Sequence, residues 1–395
     1  MADLASQREL SRLRVIEALF RRPGSSRTQV GHDAGLSRPT VTAVLDELES
    51  AGILEQTPAP ESERSRPAGR PPLQIRLAPR AAFAVGLDFG HQHIRAALCD
   101  LSGQLVADDW SEAEVDGAPA ASLDLAHELV RGLLAGAEAD QADVIGVGMG
   151  LAAPVDAESG TAFVEGILPG WDGVRPAAEM EARLGLPVKL ENDANVGVLG
   201  EHRFGAAQGA RDVAYVRLSA GIGLGLILNG APYRGRLGIA GELGHVRAVD
   251  DGTLCRCGNR GCLETVASAA AVADLLAADR GEPVTVPRAL ELVRAQDPGA
   301  LHAVEAAGEA VGRAVAAVVN VLNPELVVIG GELAGAGPVL LDPLQRAIER
   351  SVIAPSAAVV ETRQSALGER AEVLGAAALV LAEAPAVLAR RLAGA

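Results

Sequence analysis

The stretch Gly241–Glu264, GELGHVRAVDDGTLCRCGNRGCLE, decides how the rest of the chain is read. It holds three of the four cysteines, Cys255, Cys257 and Cys262, with His245 ten positions ahead of the first. The pattern is H-x9-C-x-C-x4-C, one imidazole and three thiols, a full donor set for a tetrahedral zinc ion. Gly252, Gly258 and Gly261 let the backbone turn tightly between ligands. Three thiols packed as small hydrophobes would need apolar neighbours, yet the segment is rich in Gly, Asp, Arg and Asn. A disulfide is disfavoured, because C-x-C is too tight for easy geometry and nothing suggests export. The expected zinc is structural, since four protein ligands leave no open position for catalysis.

Around this stretch, 395 residues leave room for two or three domains and a sizeable core. Hydrophobic content of 49% with 2% aromatics describes a globular chain built from Ala, Val and Leu. No run of 18 apolar residues appears, and MADLASQREL lacks the regions of a signal peptide. The expected location is the cytoplasm, with thiols reduced and no membrane partner. The net charge of −16 is uneven. Residues 1–80 carry 12 Arg against 10 Asp and Glu, whereas the rest carries 23 basic against 41 acidic residues. An acidic body does not attract nucleic acid, so any DNA contact belongs to the N-terminal segment.

In that segment Leu10, Leu13, Ile16 and Leu19 have helical spacing, and Thr28 to Ala34 predicts a short second helix. Gly35 breaks it. Ser37 caps a third helix, whose Val41, Val44, Leu45 and Leu48 form one apolar face. Ile53–Gln56 and Leu73–Leu77 read as paired strands. The whole is similar to a winged helix-turn-helix, a DNA-binding domain over residues 1–80. Arg38, Thr40 and Thr42, near the start of the third helix and off its apolar face, are candidates for groove or phosphate contacts. Arg64, Arg66 and Arg70, in the wing between the strands, suit a narrow minor groove.

From residue 81 the chain alternates short apolar strands with glycine-bearing turns and helices, an α/β pattern. Strands are expected at Ala84–Gly90, Ile94–Cys99, Val144–Met149, Val188–Leu190, Val213–Leu218, Leu226–Asn229 and Val327–Ile329. Cys99 falls on an apolar strand and reads as core. A final helix is expected over about Arg370–Arg391.

The residues G-E-x-G-H and C-x-C-G-x-x-G-C-x-E resemble the signature of the ROK family, which groups repressors, open reading frames and sugar kinases. The resemblance covers nearly all of 81–395, and includes ILPGW at 167–171 and the glycine-rich 216–230. It implies a duplicated, two-lobed actin-like (sugar kinase/ribonuclease H-like) domain. Lobe 1 is expected at about 81–193 plus a C-terminal helix at 370–395, and lobe 2 at about 194–369. It further implies that Asn192, Asp193, Glu242, His245 and Glu264 face a sugar. His245 would bind zinc through one ring nitrogen and aim the other at the ligand. Asp193 matches the general base of the kinases, so it is catalytic only where kinase activity is retained.

The phosphate side departs from the family pattern. Kinases resemble D-x-G-G-T at the first turn, where this chain has Asp88, Phe89, Gly90, His91 and Gln92. They resemble G-T-G at the second, where it has Ser219, Ala220 and Gly221. A phosphate needs bare backbone amides at close approach, and these turns have lost glycine and hydroxyl donors. ATP and magnesium are therefore unexpected. The implied protein is a sugar-responsive transcriptional regulator, a repressor of carbohydrate genes. Its partners would be double-stranded operator DNA, a sugar or sugar phosphate, and itself as a dimer or tetramer. The zinc loop would relay ligand binding to the DNA-binding domain. The alternative is an active ATP-dependent, glucokinase-like enzyme carrying an extra domain.

Overall fold

The computed structural model describes residues 2–58, 73–156, 159–357 and 360–394. Helices α1 (Ala2–Arg21), α2 (Arg27–Ala34) and α3 (Arg38–Ser50) precede an antiparallel ribbon of β1 (Leu54–Pro58) and β2 (Leu73–Leu77). The side chains of Ser26 and Ser37 cap α2 and α3 by accepting the Gln29 and Thr40 amides. Gly35, at φ 64°, makes the left-handed turn between them. Val41, Val44, Leu45 and Leu48 are buried against Val15, Ile16 and Leu19, as the spacing requires. The wing arginines Arg64, Arg66 and Arg70 lie outside the described residues.

The body is two sheets of like order. The first runs β5-β4-β3-β6-β9, from β3 (Phe83–Phe89), β4 (His93–Asp100), β5 (Leu105–Glu112), β6 (Val144–Leu151) and β9 (Val188–Asn192). Helices α4 (Pro119–Gly136) and α5 (Pro176–Leu184) and a small hairpin, β7 (Val155–Asp156) with β8 (Thr161–Ala162), fill its connections. The second sheet runs β12-β11-β10-β13-β14. It comprises β10 (Val213–Leu218), β11 (Ile222–Leu228), β12 (Ala231–Pro232), β13 (Leu326–Gly330) and β14 (Glu361–Gln364). Around it pack α7 (Glu264–Ala267), α8 (Ala269–Arg280), α9 (Val286–Arg294), α10 (Pro298–Leu322), α11 (Pro338–Ser351) and α12 (Ala354–Ala357). In each sheet an antiparallel hairpin leads into parallel neighbours, which is the repeat expected of a duplicated two-lobed fold.

Two long-range helices join the halves. Helix α6 (Asp193–Phe204) leaves β9 directly, and α13 (Ala371–Leu381) lies between α6 and the first sheet. Glycines allow both contacts. A Cβ on Gly375 would fall 1.6 Å from the Val196 carbonyl oxygen, and one on Gly200 would fall 2.2 Å from that of Ala371. Cβ atoms on Gly86 and Gly148 would fall 2.0 and 1.9 Å from the Val373 and Ala376 carbonyls. The helix expected over 370–391 is in fact two. It breaks near Ala382, turning by 41° into α14 (Ala384–Gly394), so that α13 lies on the body while α14 reaches α1. One apolar core then joins Ile16 and Leu19 of α1, Leu388 and Ala389 of α14, and Ala84 and Cys99 of the first sheet. Cys99 is core, as expected, and burial pushes its thiol up to about 12.

The glycine-rich segment also differs from expectation. Strand β11 begins at Ile222, so Gly223 and Gly225 lie within it and outside the turn. The reason is helix–sheet distance: a Cβ on Gly225 would meet the Ala194 carbonyl at 2.2 Å. Among the described residues no single helix is long and apolar enough to cross a membrane.

Gly375→Ala should cost about 3 kcal/mol, since the added methyl would meet the backbone of α6 at Val196 and Gly200 and force the two helices apart. Urea unfolding would measure it. Gly132→Ala on α4, where nothing lies within 4 Å, should leave stability unchanged or slightly raised.

Candidate ligand cleft and metal centre

The metal centre follows from local turns. His245 ends a short 3-10 helix, Leu243–His245, and Gly258 and Gly261 take φ of 87° and 72° between the cysteines. Gly261 cannot be replaced cheaply, as its Cβ would lie 1.7 Å from the Val249 carbonyl oxygen. The Cys255 amide donates to the Asn259 carbonyl at 2.7 Å and closes the knuckle. One ligand atom from each of His245, Cys255, Cys257 and Cys262 lies within 4.8 Å of all the others. His245 Nδ1 stands 3.6 Å from Cys255 Sγ, and Cys257 Sγ 3.7 Å from Cys262 Sγ. These match the edge of a tetrahedron with metal–sulfur bonds of about 2.3 Å. Burial and the neighbouring thiols push the Cys262 thiol up to about 12, whereas the Asn259 amide and the other two thiols outweigh burial and hold the Cys257 thiol below its ordinary value. The donor set therefore fits a metal such as zinc.

The same loop builds one wall of a cleft between the lobes, open at its mouth. Asn192, Asp193, Glu242, His245 and Glu264 all line it. His245 faces the thiols with Nδ1 and turns Nε2 toward Glu242 Oε2 at 3.8 Å. Glu264, two residues past Cys262, pairs with Arg256 at 3.3 Å and accepts the Ile222 amide at 3.3 Å. Gly221 makes room for it, as a Cβ there would meet Glu264 Oε2 at 2.7 Å. Burial, then Asp193 and Glu264, push the Glu242 carboxyl up to about 7. Asn192 caps α6 by accepting the Asn195 amide, and its side-chain Nδ2 donates to the Ala153 carbonyl at 3.1 Å.

Asp193 is heavily engaged. Its Oδ1 accepts from the Ala194 amide at 2.7 Å and Asn192 Nδ2 at 3.0 Å, and its Oδ2 pairs with Arg217 Nη1 at 3.1 Å. Arg217 is buried, and its Nε donates to Glu372 Oε1 at 3.1 Å, where the Tyr215 hydroxyl also donates at 2.9 Å. Burial opposes the Arg217 charge, but Asp193, Glu372 and Asp88 outweigh it and hold its pKa above the ordinary value. Burial pushes the Glu372 carboxyl up to about 7 against the pull of Arg217.

The sequence reading did not single out Arg217 or Glu372. The signal was present: each is the one charge inside an apolar run, VAYVRLS and AEVLGAAALVL, and a buried charge requires a partner. Glu191 also escaped it. This carboxylate is fully buried, accepts from the Asn192 amide and Asn195 Nδ2 at 3.0 Å each, and pairs with Arg234.

The two phosphate turns are occupied by the protein itself. A Cβ on Gly90 would meet the His93 ring at 2.4 Å, and His93 Nε2 pairs with Asp88 Oδ2 at 3.1 Å. The Asp88 carboxyl is held below its usual range, because His93 and the arginines outweigh burial. The Ser219 hydroxyl accepts the Glu332 amide at 3.3 Å, and Ala220 offers no hydroxyl. His91, expected only as a crowded turn residue, instead lines the ligand cleft, with Nδ1 held by Asp116 at 2.7 Å. At the start of α3 Arg38 and Thr42 are exposed, while the Thr40 hydroxyl is bound to Ser37 at 2.8 Å.

A DNA-reading module packed on a two-lobed, sugar-kinase-like scaffold is the class this architecture defines. Residues 6–55 match the winged helix-turn-helix DNA-binding family. The chain belongs to the ROK family, which matches residues 84–383. It is 26% identical to a xylose repressor of Bacillus subtilis over 94% of both chains. It is 34% identical to a glucokinase of Halalkalibacterium halodurans over 73% of this chain and 91% of that one. The crystal structure of a ROK family transcriptional regulator, a homologue of the Escherichia coli MLC protein, superposes with a TM-score of 0.79. It is 25% identical and covers 98% of this chain and 99% of its own. A Streptomyces griseus glucokinase in complex with glucose and AMPPNP reaches 0.67, at 30% identity over 75% of this chain and 99% of that one.

Purified chain should carry close to one zinc per molecule by elemental analysis. Cys257→Ser should lose most of it and melt several degrees lower, on the order of a 2 kcal/mol loss.

Proposed function

We propose that this protein is a sugar-responsive DNA-binding repressor of carbohydrate uptake or metabolism genes, with structural zinc and no phosphoryl-transfer cycle. One observation carries the reading: a single helix has the ligand cleft at one end and the DNA-binding module at the other. Helix α6 begins at Asp193, and Arg203 in its last turn stacks on the Phe20 ring of α1, with Cζ 5.2 Å from the centroid. Its 12 residues amount to a rod of about 18 Å. Glu201, buried on the same helix, accepts from the Leu367 amide and the Ser365 hydroxyl, so the approach to α13 moves with it.

Zinc braces the cleft wall that carries His245, Glu242 and Glu264. We assign the relay to α6 and α14 in place of the zinc loop, because Arg203 of α6 lies over Phe20 and α14 packs on α1. A sugar held by Asn192 and Asp193 favours one seating of α6, and Arg203 passes that preference to Phe20. Ligand then acts through its differing affinity for two arrangements of the module. A two-fold dimer completes the reading, since groove readers pair half-sites.

The kinase alternative is disfavoured on the phosphate side of the cleft. The turns that would cradle a triphosphate are filled by His93 and closed by Glu332.

Two measurements test this. Duplexes selected from a random library by the full-length chain should bind with salt-dependent affinity that D-xylose, D-glucose or another simple sugar changes by about tenfold. Arg203→Ala should keep sugar affinity within about threefold yet reduce that change to about twofold, with partial recovery in Arg203→Lys. An unaltered response in Arg203→Ala would remove α6 from the relay. Coupled ATP turnover across a hexose panel should stay at background, and turnover at ordinary kinase rates, about 1 per second or more, would restore the enzyme reading.

A further inference from the structure

We infer that Arg217 and Glu372 are positioning residues that couple the cleft to α14 and through it to α1, a second line beside Arg203. The inference rests on the cleft being a sugar site, and adds how its occupation is felt on the far side of the body. Arg217 lines the cleft from β10. Its Nη1 meets Asp193 Oδ2 at the start of α6, and its Nε meets Glu372 Oε1 in the first turn of α13, both at 3.1 Å. The Tyr215 hydroxyl donates to the same Oε1 at 2.9 Å. Tyr215 and Arg217 stand two apart on β10 and so share a face. Bare backbone makes room for the tyrosine. A Cβ on Gly330 would meet its hydroxyl at 2.3 Å, and one on Gly197 of α6 would meet its ring at 2.4 Å.

A guanidinium is a rigid, planar fork, so its Nη1 and Nε donors turn together. Asp193 Oδ1 is taken by the Ala194 amide and Asn192 Nδ2, which leaves Oδ2 to be shared between Arg217 and a ligand hydroxyl. A hydroxyl that draws on Oδ2 turns the fork. Glu372 follows, because a buried cation parted from its carboxylate is strongly destabilised. Asp193, Arg217 and Glu372 are 7%, 6% and 3% exposed, so water does not stand in for a lost partner. Helix α13 has no slack in which to absorb the shift, since Gly375 and Gly200 bring it against α6, and Gly86 and Gly148 against the first sheet. Its 11 residues, about 16 Å long, end at the bend into α14. There Leu388 and Ala389 share a core with Ile16 and Leu19 of α1.

Hydrogen exchange followed by mass spectrometry on the full-length, zinc-loaded chain reads this line at α14 itself. D-Glucose, D-xylose and N-acetyl-D-glucosamine are first titrated by calorimetry, and one that binds is used at saturation. It should slow exchange of the α14 amides about threefold in the native chain, and equally in Arg203→Ala, which interrupts only the other line. Glu372→Gln keeps the shape and an acceptor for Tyr215 but removes the charge. It should still bind the sugar, and its α14 exchange should no longer respond. With DNA present, Glu372→Gln in the Arg203→Ala background should abolish the change of about twofold that Arg203→Ala retains. A purely structural role for Glu372 would lower the melting temperature and leave the α14 response intact, and that result overturns the inference. Where Glu372→Gln unfolds or loses the sugar, Tyr215→Phe decides: a reduced α14 response supports the line, and a full one overturns it. A sugar that binds the native chain without slowing α14 overturns this inference and leaves the sugar site standing. Absence of binding by all three sugars overturns the sugar reading and this inference together.

Discussion

The close approach of α6 to α13 is the contact on which the molecule depends. Gly200 and Gly375 let the two backbones meet with no side chain between them, and Gly86 and Gly148 seat α13 just as closely on the first sheet. This stacking has two consequences. It delivers Glu372 beneath Arg217, and so under the cleft. It also carries the chain onward into α14, whose apolar face shares a core with α1. The DNA-binding module is therefore packed on the same helices that carry the cleft. Interiors packed this tightly respond to strain by shifting between discrete arrangements.

Charge is concentrated where those helices meet. Arg217 sits among Asp193, Glu372 and Asp88, a buried cation with several buried anions. Removing one member of such a set leaves another uncompensated, so the group behaves as a unit. In a phosphoryl-transfer enzyme, cations and amides at such a floor would serve the transferred group. Here Arg217 is engaged by Asp193 and Glu372, and the kinase-like scaffold is kept with His93 packed at Gly90 and the Ser219 hydroxyl bonded to the Glu332 amide.

The metal loop has a narrower part than its prominence in the sequence suggests. It supplies His245 directly and places Glu264 two residues past Cys262, so a metal held there would set the aim of one cleft wall. The opposite wall, at Asn192 and Asp193, is set by the start of α6 and by Glu191 beneath it.

The sequence alone determined a great deal of this. The His-Cys spacing, the Ser37 cap, the apolar face of α3 and the strand–glycine repeats are local patterns, and local geometry is enough to read them. The five cleft residues were legible because each stands in a compact motif. What only the tertiary structure decided is how distant segments meet: the Arg217–Glu372 pair, 155 positions apart, the break between α13 and α14, and Arg203 over Phe20. Glycines 223 and 225 read as a turn because bareness along a chain signals bending, whereas here it signals a helix lying against a strand. Spacing along the chain carries no record of which surface will press on a residue. The partner of a lone buried charge or a bare glycine is therefore supplied only by the fold.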